Sequence, residues 1–313
     1  VGRFTNHQNQ RGRGATSFIA CRYRELRGSV IWSSCAVPTL TVQGGVELAK
    51  ILAVTNQKGG VGKTTTAVNL SACLAVLGQR VLMIDLDPQG NATTGCGVAK
   101  RVALPTVYQI LIGRSSLSET CIRTDFGFDI LPANRELAGA EVELIEMGGR
   151  EFRLRDALVP VQDEYDFILM DCPPALNMLT VNGLVAADAV MIPMQCEYYA
   201  LEGLTDLVAT LKKVRANLNS RLEIEGLLRT LFDSRSTLTQ QVSSELVDHF
   251  GSKVYRTIIP RNVRLAEAPS YGKPVIAFDR LSKGAQAYRA LAQEMLDRRD
   301  GTVRSDAAQG AEA

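Results

Sequence analysis

The sequence predicts an α/β chain with a doubly wound, mostly parallel sheet. Short apolar runs recur between segments of helical spacing. The first run enters a glycine- and lysine-rich turn that opens a helix, and two later runs end in aspartate. Apolar runs without alternation are expected of parallel strands buried on both faces. Repeated β-α alternation points to helices on both sides of one sheet.

The elements follow in order. Residues 1–48 stand apart: Arg3, Arg11, Arg13, Arg22, Arg24 and Arg27 face only Glu25 and Glu47, and no period of 2 or 3.6 is sustained. This segment reads as a basic, disordered extension, for which a start placed too far upstream is favoured over an organellar targeting leader and over an arm that touches DNA. Residues 49–298 read as a single domain. Ile51–Thr55 is its first strand, and Thr64–Leu77 is a helix stopped by Gly78. Arg80–Ile84, Phe128–Leu131, Phe167–Met170 and Ala189–Ile192 are further strands, with helices expected over Arg135–Met147, Phe152–Val159 and Leu176–Val185. A helix over Leu201–Leu218, a strand over Glu225–Phe232, a helix over Leu238–Phe250, a strand over Val254–Ile259 and a helix over Ala285–Arg298 complete it. Residues 299–313 are polar and read as a disordered tail.

Composition narrows the chemistry. The chain has 313 residues, 46% of them hydrophobic and 22% charged, as in ordinary globular proteins. A net charge of +2 leaves any nucleic-acid affinity to a local basic face. Seven scattered cysteines show no C-x-x-C spacing and fit a reducing, cytoplasmic setting. His7 and His249 are the sole histidines, which argues against a Ser-His-Asp triad or a multi-histidine metal site. Chemistry must then run on carboxylates, lysines, backbone amides and a metal held by oxygen. No stretch reaches the ~20 apolar residues that cross a bilayer.

The central motif is Gln57-Lys-Gly-Gly-Val-Gly-Lys-Thr-Thr65, between the first strand and the first helix. It departs from the usual phosphate-binding loop, G-x-x-x-x-G-K-[ST], in having Gln57 at the head and an additional lysine, Lys58. Its three glycines, Gly59, Gly60 and Gly62, let backbone N–H groups converge on phosphate oxygens, and the helix adds its positive end. Lys63 is placed to reach β and γ phosphates, and the Thr64 hydroxyl to take a magnesium position. Asp85-Leu-Asp-Pro-Gln-Gly-Asn91 and Asp171-Cys-Pro-Pro174 sit where ligands bind, at the carboxyl ends of parallel strands. A single aspartate there is often only a turn former, but the pair alongside the lysine-rich loop is far more specific.

The loop resembles the deviant Walker A box of the ParA/MinD superfamily. Leu137–Glu141, Gln195–Gly203, Ile259–Leu265 and Glu267–Pro274 resemble its chromosomal ParA (Soj) branch. The resemblance spans about Ala49 to Leu296. It implies a P-loop ATPase that uses ATP and magnesium and forms a homodimer sandwiching two nucleotides, with Lys58 reaching the partner's phosphates. It implies catalytic roles for Lys58, Lys63 and Asp87, and a nucleotide cradle of Lys58, Gly59, Gly60, Val61, Gly62, Lys63, Thr64 and Thr65, with Pro260 and Asn262 against the adenine. Magnesium is expected on Thr64, on Asp171 through water and near Asp87; Asp85 remains unassigned between the loop and the metal's surroundings. Nonspecific double-stranded DNA and a ParB-type protein are the implied partners, in a nucleoid-associated cytoplasmic setting. DNA contacts are expected on the dimer face away from nucleotide, from Lys212, Arg235, Lys213 and Arg264, with Arg215 a neighbour.

Three competing readings are weaker. A membrane-cycling MinD-like ATPase needs an amphipathic C-terminal helix, whereas Asp300–Ala313 has almost no large apolar residue. An iron–sulfur reductase would draw on Cys96 with Cys121 or Cys172, yet no flanking residue supports it. A non-hydrolysing scaffold sits badly with Asp87 and Asp171.

Overall fold

The computed structural model describes residues 48–101 and 103–301. The basic extension and the end of the polar tail, as read from sequence, lie outside these residues. In chain order the elements are β1 (Lys50–Val54), α1 (Lys63–Val76), β2 (Val81–Asp85), α2 (Asn91–Gly95), α3 (Val107–Leu111), α4 (Leu117–Thr120), β3 (Ile122–Arg123), β4 (Asp129–Leu131), α5 (Leu137–Ile145) and α6 (Arg153–Leu158). They continue with β5 (Phe167–Asp171), α7 (Met178–Ala186), β6 (Ala189–Gln195), α8 (Ala200–Asn217), β7 (Glu223–Phe232), α9 (Thr237–Phe250), β8 (Val254–Pro260), α10 (Val263–Glu267), α11 (Val275–Phe278) and α12 (Lys283–Arg299).

The described strands form one sheet in the order β3-β4-β2-β5-β1-β6-β7-β8. Every neighbouring pair is parallel except β3–β4 at one edge, which is antiparallel. The strand order reverses around β1: its chain crosses to β2 on one side, and the later strands add on the other. That reversal opens a crevice beyond the carboxyl ends of β1, β2 and β5, the usual ligand position in such sheets.

Alternate residues of each central strand face opposite layers. Ile51 and Ala53 belong to the apolar layer that also takes side chains from α3 and α5 to α9, whereas Leu52 and Val54 belong to the layer of α1, α11 and α12. Both faces of β1, β2 and β5 are thereby covered, which is why their sequences are apolar at nearly every position. α8 buries Leu204, Leu207, Leu211 and Val214, a stripe at three- and four-residue spacing, and turns its charges outward.

Several boundaries shift from the sequence reading. α7 begins at Met178 because Asn177 caps it, accepting from the Thr180 N–H at 3.1 Å. The helix expected over Phe152–Val159 is α6 flanked by 3₁₀ turns at Arg150–Phe152 and Val159–Val161, the second containing Pro160. Cys96 packs against Met83 on one face of the sheet, while Cys172 and Cys121 pack with the other. The sheet separates them, so the cysteine pairs considered for a cluster do not meet.

Candidate functional site

The site is assembled from strand ends. After β1, Asn56 holds the entry to the loop: its Oδ1 accepts from the Lys58 N–H at 3.0 Å and its amide donates to the Pro193 carbonyl of β6 at 2.9 Å. Gly60 and Gly62 have φ of +74° and +85°, the left-handed region that only glycine enters at little cost. Gly62 is the N-cap of α1 in that conformation, so the loop flows directly into the helix. The Thr230 hydroxyl of β7 donates to the Val61 carbonyl at 2.8 Å and pins the middle of the loop to the sheet. Thr64 and Thr65 follow on the first turn of α1, both half-buried.

The two lysines have different surroundings. Lys63 is 8% exposed, and its Nζ donates to the Lys58 carbonyl at 3.0 Å, across the loop's interior. Burial lowers its pKa from the ordinary lysine value, against the opposing pull of Asp171 and Asp87. Lys58 lies on the exposed side of the loop, and its Nζ pairs with Glu197 Oε2 at 2.5 Å, on the segment after β6. Each ammonium therefore rests on an oxygen of its own chain.

The carboxylates converge from adjacent strands. Register places Asp85 of β2 beside Asp171 of β5, and both are fully buried. Asp85 is well satisfied: it accepts from the Asp87 N–H at 3.1 Å, the Thr93 N–H at 2.7 Å and the Thr93 hydroxyl at 2.7 Å. Burial pushes its pKa up to about 6 in spite of these bonds. Asp171 differs, since both of its carboxylate oxygens are buried and accept no hydrogen bond. Burial, then neighbouring Asp85, holds its carboxyl well above the usual carboxylate range, with Thr64 and Lys63 pulling the other way. An orphaned carboxylate beside the phosphate loop fits a hydrated divalent cation, which supplies the charge and donors that the protein does not. Asp87 is half-buried, and its Oδ1 accepts from the Gln89 N–H at 2.9 Å.

The predicted adenine residues lie farther along. Pro260 ends β8 and pairs in register with Phe232; Asn262 precedes α10, its Oδ1 buried and unpartnered. A cavity of about 470 Å³ opens beside α1, lined by Thr64, Thr65, Asn69, Thr94, Pro269 and Ser270 among others, but not by Pro260 or Asn262. A larger cavity of about 580 Å³ lies at the opposite ends of the strands and touches none of the candidate residues.

The basic candidates do not gather into one patch. Lys212, Lys213 and Arg215 are exposed on the last turns of α8, toward the sheet edge where β7 begins. Arg235 follows β7 and Arg264 lies on α10, at the carboxyl edge that also carries the phosphate loop. Arg235 pairs with Asp233 at 2.9 Å, and Arg264 with Glu267 at 2.8 Å and Asp279 at 3.3 Å. α8 runs the height of the sheet, so its last turns lie toward the opposite end from the loops that carry Arg235 and Arg264. Leu176, Tyr198 and Tyr199 are large, exposed side chains after β5 and β6, at the rim of the phosphate loop.

Three residues escaped the sequence reading. Thr230 carries only a weak signal, a hydroxyl near the end of a strand that also holds Glu223, Glu225 and Arg229. Thr93 and Glu197 carry none, because their partners Asp85 and Lys58 are brought to them by the fold.

Comparison with known proteins agrees with this geometry. A family profile described as an AAA domain matches residues 49–224. The chain is 50% identical over 252 residues to the chromosome partitioning protein ParA of Caulobacter vibrioides strain NA1000, covering 80% of this chain and 94% of that one. It is 53% identical over 249 residues to the sporulation initiation inhibitor protein Soj of Bacillus subtilis strain 168, covering 79% and 98%. Among solved structures it is similar to a cobyrinic acid a,c-diamide synthase from Mycobacterium smegmatis with bound ATP analog and magnesium. The TM-score there is 0.72 at 38% identity, over 82% of this chain and 98% of that one. The phosphate loop, the paired strand-end aspartates and these relatives converge: the chain belongs to the ParA/Soj family of chromosome-partitioning ATPases.

Proposed function

We propose that residues 49–298 form one ATPase domain that partitions DNA by switching between a monomer and an ATP-bound dimer. The dimer sandwiches two nucleotides, binds double-stranded DNA without sequence preference, and lets go when a ParB-type partner stimulates hydrolysis. The observation that carries this reading is the loop with two lysines, Lys63 folded inside it and Lys58 on its exposed side. Support for magnesium comes from the orphaned Asp171 and from the relative crystallised with an ATP analog and magnesium. No helix among the described residues is long and apolar enough to cross a membrane.

Each residue has a defined task. Backbone N–H groups of Gly59, Gly60, Val61 and Gly62, with those of Thr64 and Thr65 at the start of α1, bind the phosphates. Lys63 exchanges the Lys58 carbonyl for β- and γ-phosphate oxygens. Thr64, Asp171 through water, and Asp87 would hold magnesium, which when bound with ATP neutralises charge on the transferring phosphoryl group. Asp87 orients the attacking water and takes its proton. Lys58 leaves Glu197 to reach the partner's phosphates, coupling hydrolysis to dimerisation as an arginine finger does. Pro260 and Asn262 face the adenine, and the unpartnered Asn262 Oδ1 accepts from its exocyclic amine. Contacts from Arg235, Arg264, Lys212 and Lys213 go to DNA phosphates, so binding falls steeply with salt; bound to the chromosome, the dimer is nucleoid-associated.

Binding to nonspecific duplex DNA tests this, with ATP, ADP and no nucleotide, for wild type, Lys58→Ala, Lys63→Ala and Asp87→Ala. Wild type binds with ATP alone, both lysine variants lose binding, and Asp87→Ala keeps or prolongs it. A wild-type protein that dimerises with ATP but ignores DNA in every condition refutes the DNA switch.

A further inference from the structure

The loop carrying Asp87 is anchored at a point that none of the assigned roles explains. α2 is a five-residue helix whose N-cap, Gly90, has no side chain to satisfy the first free N–H groups. Gly90 is required there: its φ is +60°, and a Cβ would stand 2.6 Å from the Ala133 carbonyl after β4. The missing cap comes from another element. Asp85 of β2 accepts from the Thr93 N–H, the third of α2, at 2.7 Å, and the same oxygen accepts from the Thr93 hydroxyl at 2.7 Å. That hydroxyl in turn accepts from the Ala133 N–H at 2.9 Å. Thr93 is fully buried, so its hydroxyl is spent on joining the ends of two strands.

Asp87 lies between these anchors. Its backbone N–H donates to the other Asp85 oxygen at 3.1 Å, and its carboxylate accepts from Gln89. We propose that Thr93 is a positioning residue for phosphoryl transfer: through Asp85 it fixes the peptide that carries Asp87, and with it the carboxylate that orients the attacking water. The inference rests on the reading that Asp87 orients water. A chain of Ala133, Thr93, Asp85 and Asp87 then sets the aim of that carboxylate while leaving the phosphate loop untouched. Threonine suits the position because its hydroxyl can donate to Asp85 and accept from Ala133 at once, while its methyl group fills buried space. Serine retains the relay; valine keeps the volume and the backbone bond to Asp85 but loses both hydroxyl bonds, to Asp85 and from Ala133.

The test measures ATP hydrolysis, ATP-dependent dimerisation and thermal melting for Thr93→Val, Thr93→Ser and Asp87→Ala. For Thr93→Val, kcat falls about 10- to 100-fold while KM for ATP stays within about twofold and the dimer still forms. Thr93→Ser recovers kcat to within about threefold of wild type. A full kcat in Thr93→Val overturns the proposal, as does loss of ATP binding and dimerisation together with kcat, which marks a merely structural residue. Should Thr93→Val melt before assay, Thr93→Ala substitutes for it: it too lacks the hydroxyl, so kcat drops at unchanged KM if the relay positions Asp87, and stays whole if it does not. An Asp87→Ala protein that hydrolyses ATP at the wild-type rate refutes the water-orienting role itself, a failure distinct from an inactive Asp87→Ala beside a fully active Thr93→Val.

Discussion

Lys58 and Lys63 are five residues apart yet meet different physics. Lys63 is buried, with a depressed pKa and a carbonyl partner that phosphate oxygens replace with stronger, charge-assisted bonds. Lys58 is exposed and paired with Glu197, a contact between side chains each a little under half exposed. Exposed pairs contribute up to about 1 kcal/mol, so Glu197 opposes release of Lys58 only weakly. Replacing Glu197 by Gln therefore lowers the ATP concentration for half-maximal dimerisation, by up to about fivefold. The shift vanishes in a Lys58→Ala background, as light scattering or analytical ultracentrifugation can show. An unchanged midpoint means the pair plays no part in dimerisation. Cys96 illustrates the opposite case, a buried thiol set against Met83 that acts as an apolar filler.

At the scale of elements, β2 and β5 bring Asp85 and Asp171 side by side in a dry interior. Two carboxylates there cost stability whenever both are ionised. Their folded pKa values lie above the unfolded ones, about 6 for Asp85, so the folded chain binds more protons than the unfolded chain between about pH 4 and 6. Stability from each carboxyl is fully present below its unfolded pKa and lost as pH rises through its folded one, about 6 for Asp85 and higher than the usual carboxylate range for Asp171. With nucleotide and metal removed by chelation, the melting temperature of Asp171→Asn at pH 7 therefore exceeds that of wild type, and the gap narrows toward pH 5. A lower melting temperature at pH 7 contradicts the assignment of Asp171 as an unpaired, destabilising carboxylate. The site itself was legible as far as it is contiguous: Lys58 to Thr65, Asp85 to Asp87 and Asp171 each form a local pattern at a strand end. The pairing of Asp85 with Asp171, the Thr93 relay and the Thr230 anchor depend on strand register and sheet order, which no local pattern encodes. β1, β2, β5 and β6 were legible because burial on both faces makes them continuous apolar runs. α2, α3, α4 and the two-residue β3 are too short to display a period.

At the scale of the whole molecule, the two ends of the sheet have different inventories. The carboxyl edge holds the phosphate loop, Asp87, Asp171 and the exposed Leu176, Tyr198 and Tyr199. The other end holds Lys212, Lys213 and Arg215 at the close of α8. The basic residues were the least legible part of the sequence, because solvated lysines and arginines look alike whatever they touch. The central claim is that Lys58 serves the partner's nucleotide, and mixing two inactive variants tests it directly. Lys58→Ala and Asp87→Ala are mixed in equal amounts with ATP, magnesium and DNA, and hydrolysis is measured. If Lys58 acts across the interface, each mixed dimer has one complete site, and random pairing restores about a quarter of wild-type activity. A mixture as inactive as its components contradicts the account and places Lys58 at its own chain's nucleotide.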